Sequence, residues 1–147
     1  MAADAWVKYN TFPEFMADGT IDLDGDTFNM QLHTSSYTPS VDGDSVLADV
    51  DNEVASANGY TTGGYAVAAT WTRSTSTVTF DCADGVWTAS GGSIVARYAI
   101  IVDLTAASDP LVCYSLLDNT PADVTVTDGN TLTVGIHASG VFTLTGM

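Results

Sequence analysis

The sequence predicts an all-β fold, an antiparallel β-sandwich or partly closed barrel of about eight or nine strands with one or two short helices. Three observations predict it. The chain holds 21 Thr and 15 Val, residue types that suit a pleated, half-buried surface. Sixteen of its eighteen acids are Asp and only two are Glu, and Asp favours turns whereas Glu favours helix interiors. Short alternating apolar runs recur between Gly and Asp turn signals along most of the chain. At 147 residues, without a linker, repeat or low-complexity tract, the chain is expected to be a single domain over residues 1–147.

The elements follow in order. In "AWVKYNTFPEFMADG", Phe12, Phe15 and Met16 keep an i, i+3, i+4 spacing, so a short helix starts near Pro13, with the proline in its first turn. Trp6, Val7, Tyr9, Phe12 and Phe15 give this stretch too much apolar surface to leave in water. Residues 1–18 are therefore expected either to dock on their own domain or to insert into a neighbour. Phe28 to His33 is the first long strand. "SVLADVDNEVASANG" is expected as a second short helix, with Ser45 as N-cap, Gly59 beyond its end and Val46, Val50 and Val54 on one face. "YAVAATWTRS" and "TSTVTFDC" are strands joined around Ser74, and Val78, Phe80 and Cys82 share a face. "GVWTAS" should turn at Gly91-Gly92 as a hairpin. "SIVARYAIIVDL" is apolar on both faces and so should be a central strand. "PLVCYSLL" follows Asp109-Pro110. Asp128-Gly129 breaks the first pair of the last stretch and Ser139-Gly140 should make a second hairpin turn, with Leu132, Val134 and Ile136 facing the core.

Charge narrows the function. Eighteen acids face only Lys8, Arg73 and Arg97, a net charge of −15. Three cations cannot displace the counterions of a nucleic acid, so DNA or RNA is not an expected partner. An anionic membrane surface is excluded on the same ground. The longest apolar run, Tyr98 to Val102, is too short to span a bilayer, and "MAADAWVKYN" lacks the basic and apolar regions of a signal peptide.

Candidate chemistry is sparse. Asp22, Asp24 and Asp26 sit at i, i+2 and i+4 in "GTIDLDGDTFNMQL", the oxygen spacing a calcium loop uses. The helix-loop pattern wants Gly at position six and Glu at twelve, but here those positions hold Thr27 and His33. A turn at Asp24-Gly25-Asp26 feeding the strand is the simpler expectation, with calcium the minority alternative. His33 and His137 have no neighbours at zinc spacing. No nucleophile elbow supports a triad, and Glu14 and Glu53 fall in the expected helices rather than across a cleft. No enzyme activity and no cofactor are expected. Cys82 and Cys113, 31 residues apart, are expected as buried free thiols, with a disulfide as the alternative in an oxidising compartment. Arg97, in an apolar strand, demands a partner: an Asp from a loop or an acid across a subunit interface.

Several segments also resemble a known family. "KYNTFPEFMADGTIDLDGDTFNMQLHTSSYTPS", "NEVASANGYTTGG", "ARYAIIV" and "HASGVFTL" resemble, in this order, small virion structural proteins of tailed bacteriophages. The chain departs from that pattern by its acidity and by "HASG", where a Trp-containing strand end is expected. The resemblance implies a virion part. Charge favours the outside of the particle, because a −15 chain is repelled by packaged DNA. The expected role is a capsid decoration (cement) protein on the outer capsid surface, made in the host cytoplasm. It would clamp the major capsid protein or other virion proteins, and a homo-oligomer, a trimer by local symmetry, is expected. Trp6, Val7, Tyr9, Phe12, Phe15 and Arg97 are the expected contact residues. The alternatives are a tail or head–tail component and, from other classes, a glycan- or receptor-binding module or a hydrolase.

Overall fold

The computed structural model describes residues 3–146. Its fold is all-β and sandwich-like, with every strand pair antiparallel and no closed barrel. Among the described residues there are twelve strands and one α-helix: β1 (Val7–Lys8), α1 (Phe12–Ala17), β2 (Phe28–His33), β3 (Tyr65–Val67), β4 (Ala69–Ser74), β5 (Thr77–Cys82), β6 (Gly85–Thr88), β7 (Ile94–Ala96), β8 (Tyr98–Asp103), β9 (Leu111–Leu116), β10 (Val124–Val126), β11 (Thr131–Val134) and β12 (Phe142–Thr145). The largest sheet runs β1-β9-β8-β2-β3 and a second runs β12-β5-β4. Two-stranded pairs β10-β7 and β11-β6 complete the frame.

The expected central strand is central. β8 lies between β9 and β2, pairing His33 with Tyr98 and Phe28 with Asp103 at its ends. Its two apolar faces serve two cores. Ala99 and Ile101 enter the main core with Phe12, Phe28, Met30, Leu32, Phe80, Trp87 and Phe142. Ile100 and Val102 enter a second cluster with Tyr9, Tyr37 and Leu111. An alternating strand could have buried only one face.

Twelve strands stand where eight or nine are expected. Val7–Lys8 is added, and two expected strands divide. "YAVAATWTRS" breaks at Ala68, so that β3 joins β2 while β4 joins β5. "SIVARYAIIVDL" breaks at Arg97, so that β7 joins β10 while β8 joins β2 and β9. In each case one run of β-favouring residues feeds two sheets. Local propensity cannot report such a switch.

Three further expectations are corrected. "SVLADVDNEVASANG" is not a helix: only Leu47–Asp49 makes a 3-10 turn. Asp49 Oδ2 accepts hydrogen bonds from the Ser45 amide (2.9 Å), the Ser45 hydroxyl (2.9 Å) and the Val46 amide (3.1 Å), so the carboxylate caps the turn rather than Ser45. Asn52 and Asn58 adopt φ of 56°, which no continuous helix allows. Gly91-Gly92 and Asp128-Gly129 do not close hairpins, because β6 pairs with β11 and β7 with β10. Ser139-Gly140 likewise leads β12 onto β5 rather than back onto β11. The turn around Ser74 does close the β4–β5 hairpin, with Thr75 at φ 54°.

Candidate functional site

The N-terminal segment docks on its own domain. β1 pairs with β9, the Tyr9 amide donates to the Val112 carbonyl at 3.2 Å, and α1 begins at Phe12 with Pro13 in its first turn. Tyr9 and Phe12 are both 0% exposed. The Phe12 ring meets Phe142 edge-on, centroids 5.4 Å apart. Tyr9 enters a buried relay. Tyr37 Oη donates to Asp44 Oδ2 at 2.6 Å, so at the 3.0 Å Tyr9–Tyr37 contact Tyr9 is the donor. The expectation that Tyr9 and Phe12 are contact residues for a neighbour is therefore corrected: their surface is consumed inside the chain. Trp6 and Phe15 are half-buried against the main core. Val7, 40% exposed, is the member of the set that offers most to a partner. It lines a groove of about 270 Å³ with Pro39, Tyr98 and Tyr114.

Arg97 occupies the break between β7 and β8. Its amide donates to the His33 carbonyl at 2.8 Å and its carbonyl accepts from the Leu117 amide at 3.0 Å. Its Nε donates to Asp123 Oδ1 at 2.7 Å, at a site where the side chains are 22% and 36% exposed. Of the two partners considered for it, the structure supplies the loop aspartate. The other cations are also engaged within the chain. Lys8 Nζ sits 5.0 Å from the centre of the Phe142 ring, and Arg73 Nη1 donates to the Thr75 carbonyl at 2.8 Å. The described exterior is left predominantly acidic.

The aspartates of "DLDGD" build a turn. Asp26 Oδ2 accepts the Asp22 amide at 2.7 Å, and Asp22 Oδ1 accepts the Asp24 amide at 3.1 Å. The Gly25 and Asp26 amides close onto the Asp22 carbonyl at 3.2 and 2.9 Å. Two of the three carboxylates are thus turned onto the loop's own backbone, as short aspartate side chains do in turns. Among the described residues no group of three or more His, Cys, Asp or Glu is arranged to hold a metal ion. Ile21 and Leu23 alternate inward to the core. Beside them lies an open groove of about 420 Å³, lined by Met16, Gly19, Ile21, Asp22, Leu23, Asp24 and Trp71. Trp71 and the aspartates lie some fifty positions apart in sequence. Their meeting across the groove depends on α1 and β4 being neighbours in space.

A second acidic feature was not legible. Asp103, at the end of β8, is 0% exposed. Its Oδ1 accepts the Thr105 and Ala106 amides at 2.8 and 3.2 Å, while its Oδ2 has no hydrogen-bond partner among the described protein groups. Burial, with the Asp26 carboxyl nearby, pushes it up to about 6. His33 is buried too, with Nδ1 2.8 Å from the Asp51 carbonyl, and burial holds its pKa below the usual histidine value. Glu53 accepts from Tyr60 Oη and the Gly63 amide, both at 2.6 Å. Cys82 and Cys113 are free buried thiols, and burial pushes Cys82 up to about 12. Among the described residues no helix is long and apolar enough to cross a membrane.

No family model, no curated protein and no solved structure matches the chain.

Proposed function

We propose that this chain is a non-enzymatic structural protein of a tailed-bacteriophage virion, a decoration protein bound to the outer shell. The observation that carries the reading is the acidic exterior. A net charge of −15 remains while all three cations are engaged within the chain, by Phe142, Thr75 and Asp123. Such a surface repels nucleic acid and stays soluble at high concentration. It suits the outside of a particle rather than its DNA-filled interior.

The segments that carry the resemblance lie together in the fold. Phe12 and Phe142, from "NTFPEF" and "GVFTL", meet edge to face. "FNMQLH" pairs with "YAIIV" as β2 and β8. Gly64, from "GYTTGG", lies against the Met30 carbonyl. The words that carry the resemblance therefore meet in space as one structural frame. Binding of such a frame to assembled shells would stabilise them by mass action. The groove holding Val7, Tyr98 and Tyr114 is the proposed contact surface, since tyrosines are favoured at interfaces.

Cryo-electron microscopy of the purified particle, with the chain located by an antibody fragment, tests this. Density on the outer shell is the expected result. Absence of the chain from purified particles, or a position inside against DNA, overturns it. A tail position would leave the structural role and remove the decoration one.

A further inference from the structure

The groove beside the acidic turn has a specific chemistry. Its apolar lining comes from Met16, Ile21, Leu23 and the half-buried Trp71, and its charge comes from Asp22 and Asp24, both exposed. Among the described residues neither acid makes an ion pair and Asp24 makes no side-chain hydrogen bond, while Asp22 Oδ1 accepts the Asp24 amide and leaves Oδ2 open. Arg73 stands two residues from Trp71 but spends its Nη1 hydrogen bond on Thr75.

We infer that this groove is a binding site for an arginine side chain presented by a basic segment of a partner protein. A guanidinium has a flat, weakly hydrated face that stacks on an indole, and a fork of N–H donors that matches carboxylate oxygens. Trp71 supplies the first partner and Asp22 and Asp24 the second. Met16 and Leu23 give the three-carbon stem an apolar surface to lie on, as long cationic side chains use elsewhere. The groove's size falls within the range of about 300–1,000 Å³ common to small-ligand sites, with room for one side chain and its flanking backbone. Charge complementarity selects the occupant: a chain of −15 whose groove carries Asp22 and Asp24 attracts a basic partner. A sugar, which needs no charge, would not require two unneutralised carboxylates. The site does not rest on the shell-binding reading, since any protein with an exposed arginine on a mobile segment could use it.

The test is an NMR titration of the isotope-labelled full chain at low ionic strength. The probe is the peptide Ac-Gly-Gly-Arg-Gly-Gly-NH2, and its control is the same peptide with neutral citrulline in place of arginine. The arginine peptide is expected to shift amides of Met16 to Asp24 and the Trp71 indole. The citrulline peptide should bind about tenfold more weakly. Asp22→Asn combined with Asp24→Asn, and separately Trp71→Leu, should each weaken binding by about fivefold or more, whereas Asp4→Asn combined with Asp51→Asn should change it by less than about twofold. Equal losses from both aspartate pairs would mean diffuse attraction to an acidic surface and overturn the site. So would shifts spread over the whole surface, equal binding of citrulline, or a groove that binds neutral methyl glycosides and not the arginine peptide. Should the double aspartate variant fail to fold, the shift map and Trp71→Leu decide alone.

Discussion

The carboxyl of Asp103, buried at the end of β8, lies beside that of Asp26 from the acidic turn, and burial together with that neighbour raises its pKa. The contact is held by neighbours on both sides. The Thr27 amide donates to Thr105 Oγ1 at 2.7 Å, and the Leu104 amide donates to the Thr27 carbonyl at 3.1 Å. Neighbouring carboxylates resist being ionised together, and the buried one keeps a proton longer than an unfolded aspartate does.

Stability should therefore depend on pH through Asp103. Its folded pKa, about 6, is above the unfolded value near 3.9. The stabilising contribution is fully present below about pH 4 and is lost as pH rises to 6 and beyond. Asp103→Asn keeps the acceptor for Thr105 and Ala106 and gives Asp26 an N–H donor. It is expected to raise Tm at pH 7.5 by roughly 4 °C and to flatten the dependence between pH 4 and 7. Thermal melts across that range check it, and a lower Tm at pH 7.5 counts against the protonated pair.

His33 acts in the opposite sense. The Asp51 carbonyl can only accept, so Nδ1 carries the proton and Nε2 is bare. Protonating Nε2 would bury an N–H with no acceptor among the described protein groups. The folded pKa lies below the unfolded value near 6.5, so the contribution is present above pH 6.5 and is lost as pH falls through the lowered folded value. Nitrogen-15 spectra at pH 6.5 should show the Nδ1–H tautomer, neutral. A half-protonated ring at that pH would contradict this placement.

The N-terminal segment belongs to the core, and single substitutions separate that role from docking. Phe12→Ala removes a fully buried ring against Phe142 and should cost about 3–5 kcal/mol of unfolding free energy. Val7→Ala, at an exposed edge position, should cost about 0.5 kcal/mol or less. Urea denaturation measures both. Equal, small losses would show that residues 1–18 are not needed for the fold.

Gly64 and Gly63 form a matched pair. Both have positive φ, 76° and 99°. A Cβ on Gly64 would stand 2.1 Å from the Met30 carbonyl oxygen, while a Cβ on Gly63 meets nothing within 4 Å. Gly63→Ala should cost only backbone strain, about 1 kcal/mol. Gly64→Ala forces β2 and the loop apart and should lower the yield of folded protein or remove several times that stability. Similar denaturation midpoints for the two variants would refute the close approach.

Much of this was legible because it is local. Phe28 to His33 alternates Phe28, Met30 and Leu32 toward one face, and it is β2 to the residue. The i, i+3, i+4 spacing of Phe12, Phe15 and Met16 with Pro13 located α1 within a residue. "YAIIV" is apolar at every position, and only a strand with a core on each side uses such a run. Pairing was not legible. Gly91-Gly92 carries the chemistry of a hairpin, yet β6 finds β11, some forty residues on, because the core apolar residues of β6 and β11 match across that distance. Val46, Val50 and Val54 keep helical spacing, yet the segment is a loop whose Asp49 and Glu53 bind backbone and hydroxyl groups.

By itself, then, the sequence determined the class of fold, its main strands and its negative charge, since these depend on composition and on spacing along a few residues. Tertiary structure alone decided which strands pair, that Tyr9 and Phe12 face inward, that Arg97 finds Asp123, and that Asp103 is buried beside Asp26. The last three depend on groups 26 to 130 positions apart being brought together. Short-range propensity has no term for that distance, and only burial of a shared core supplies one.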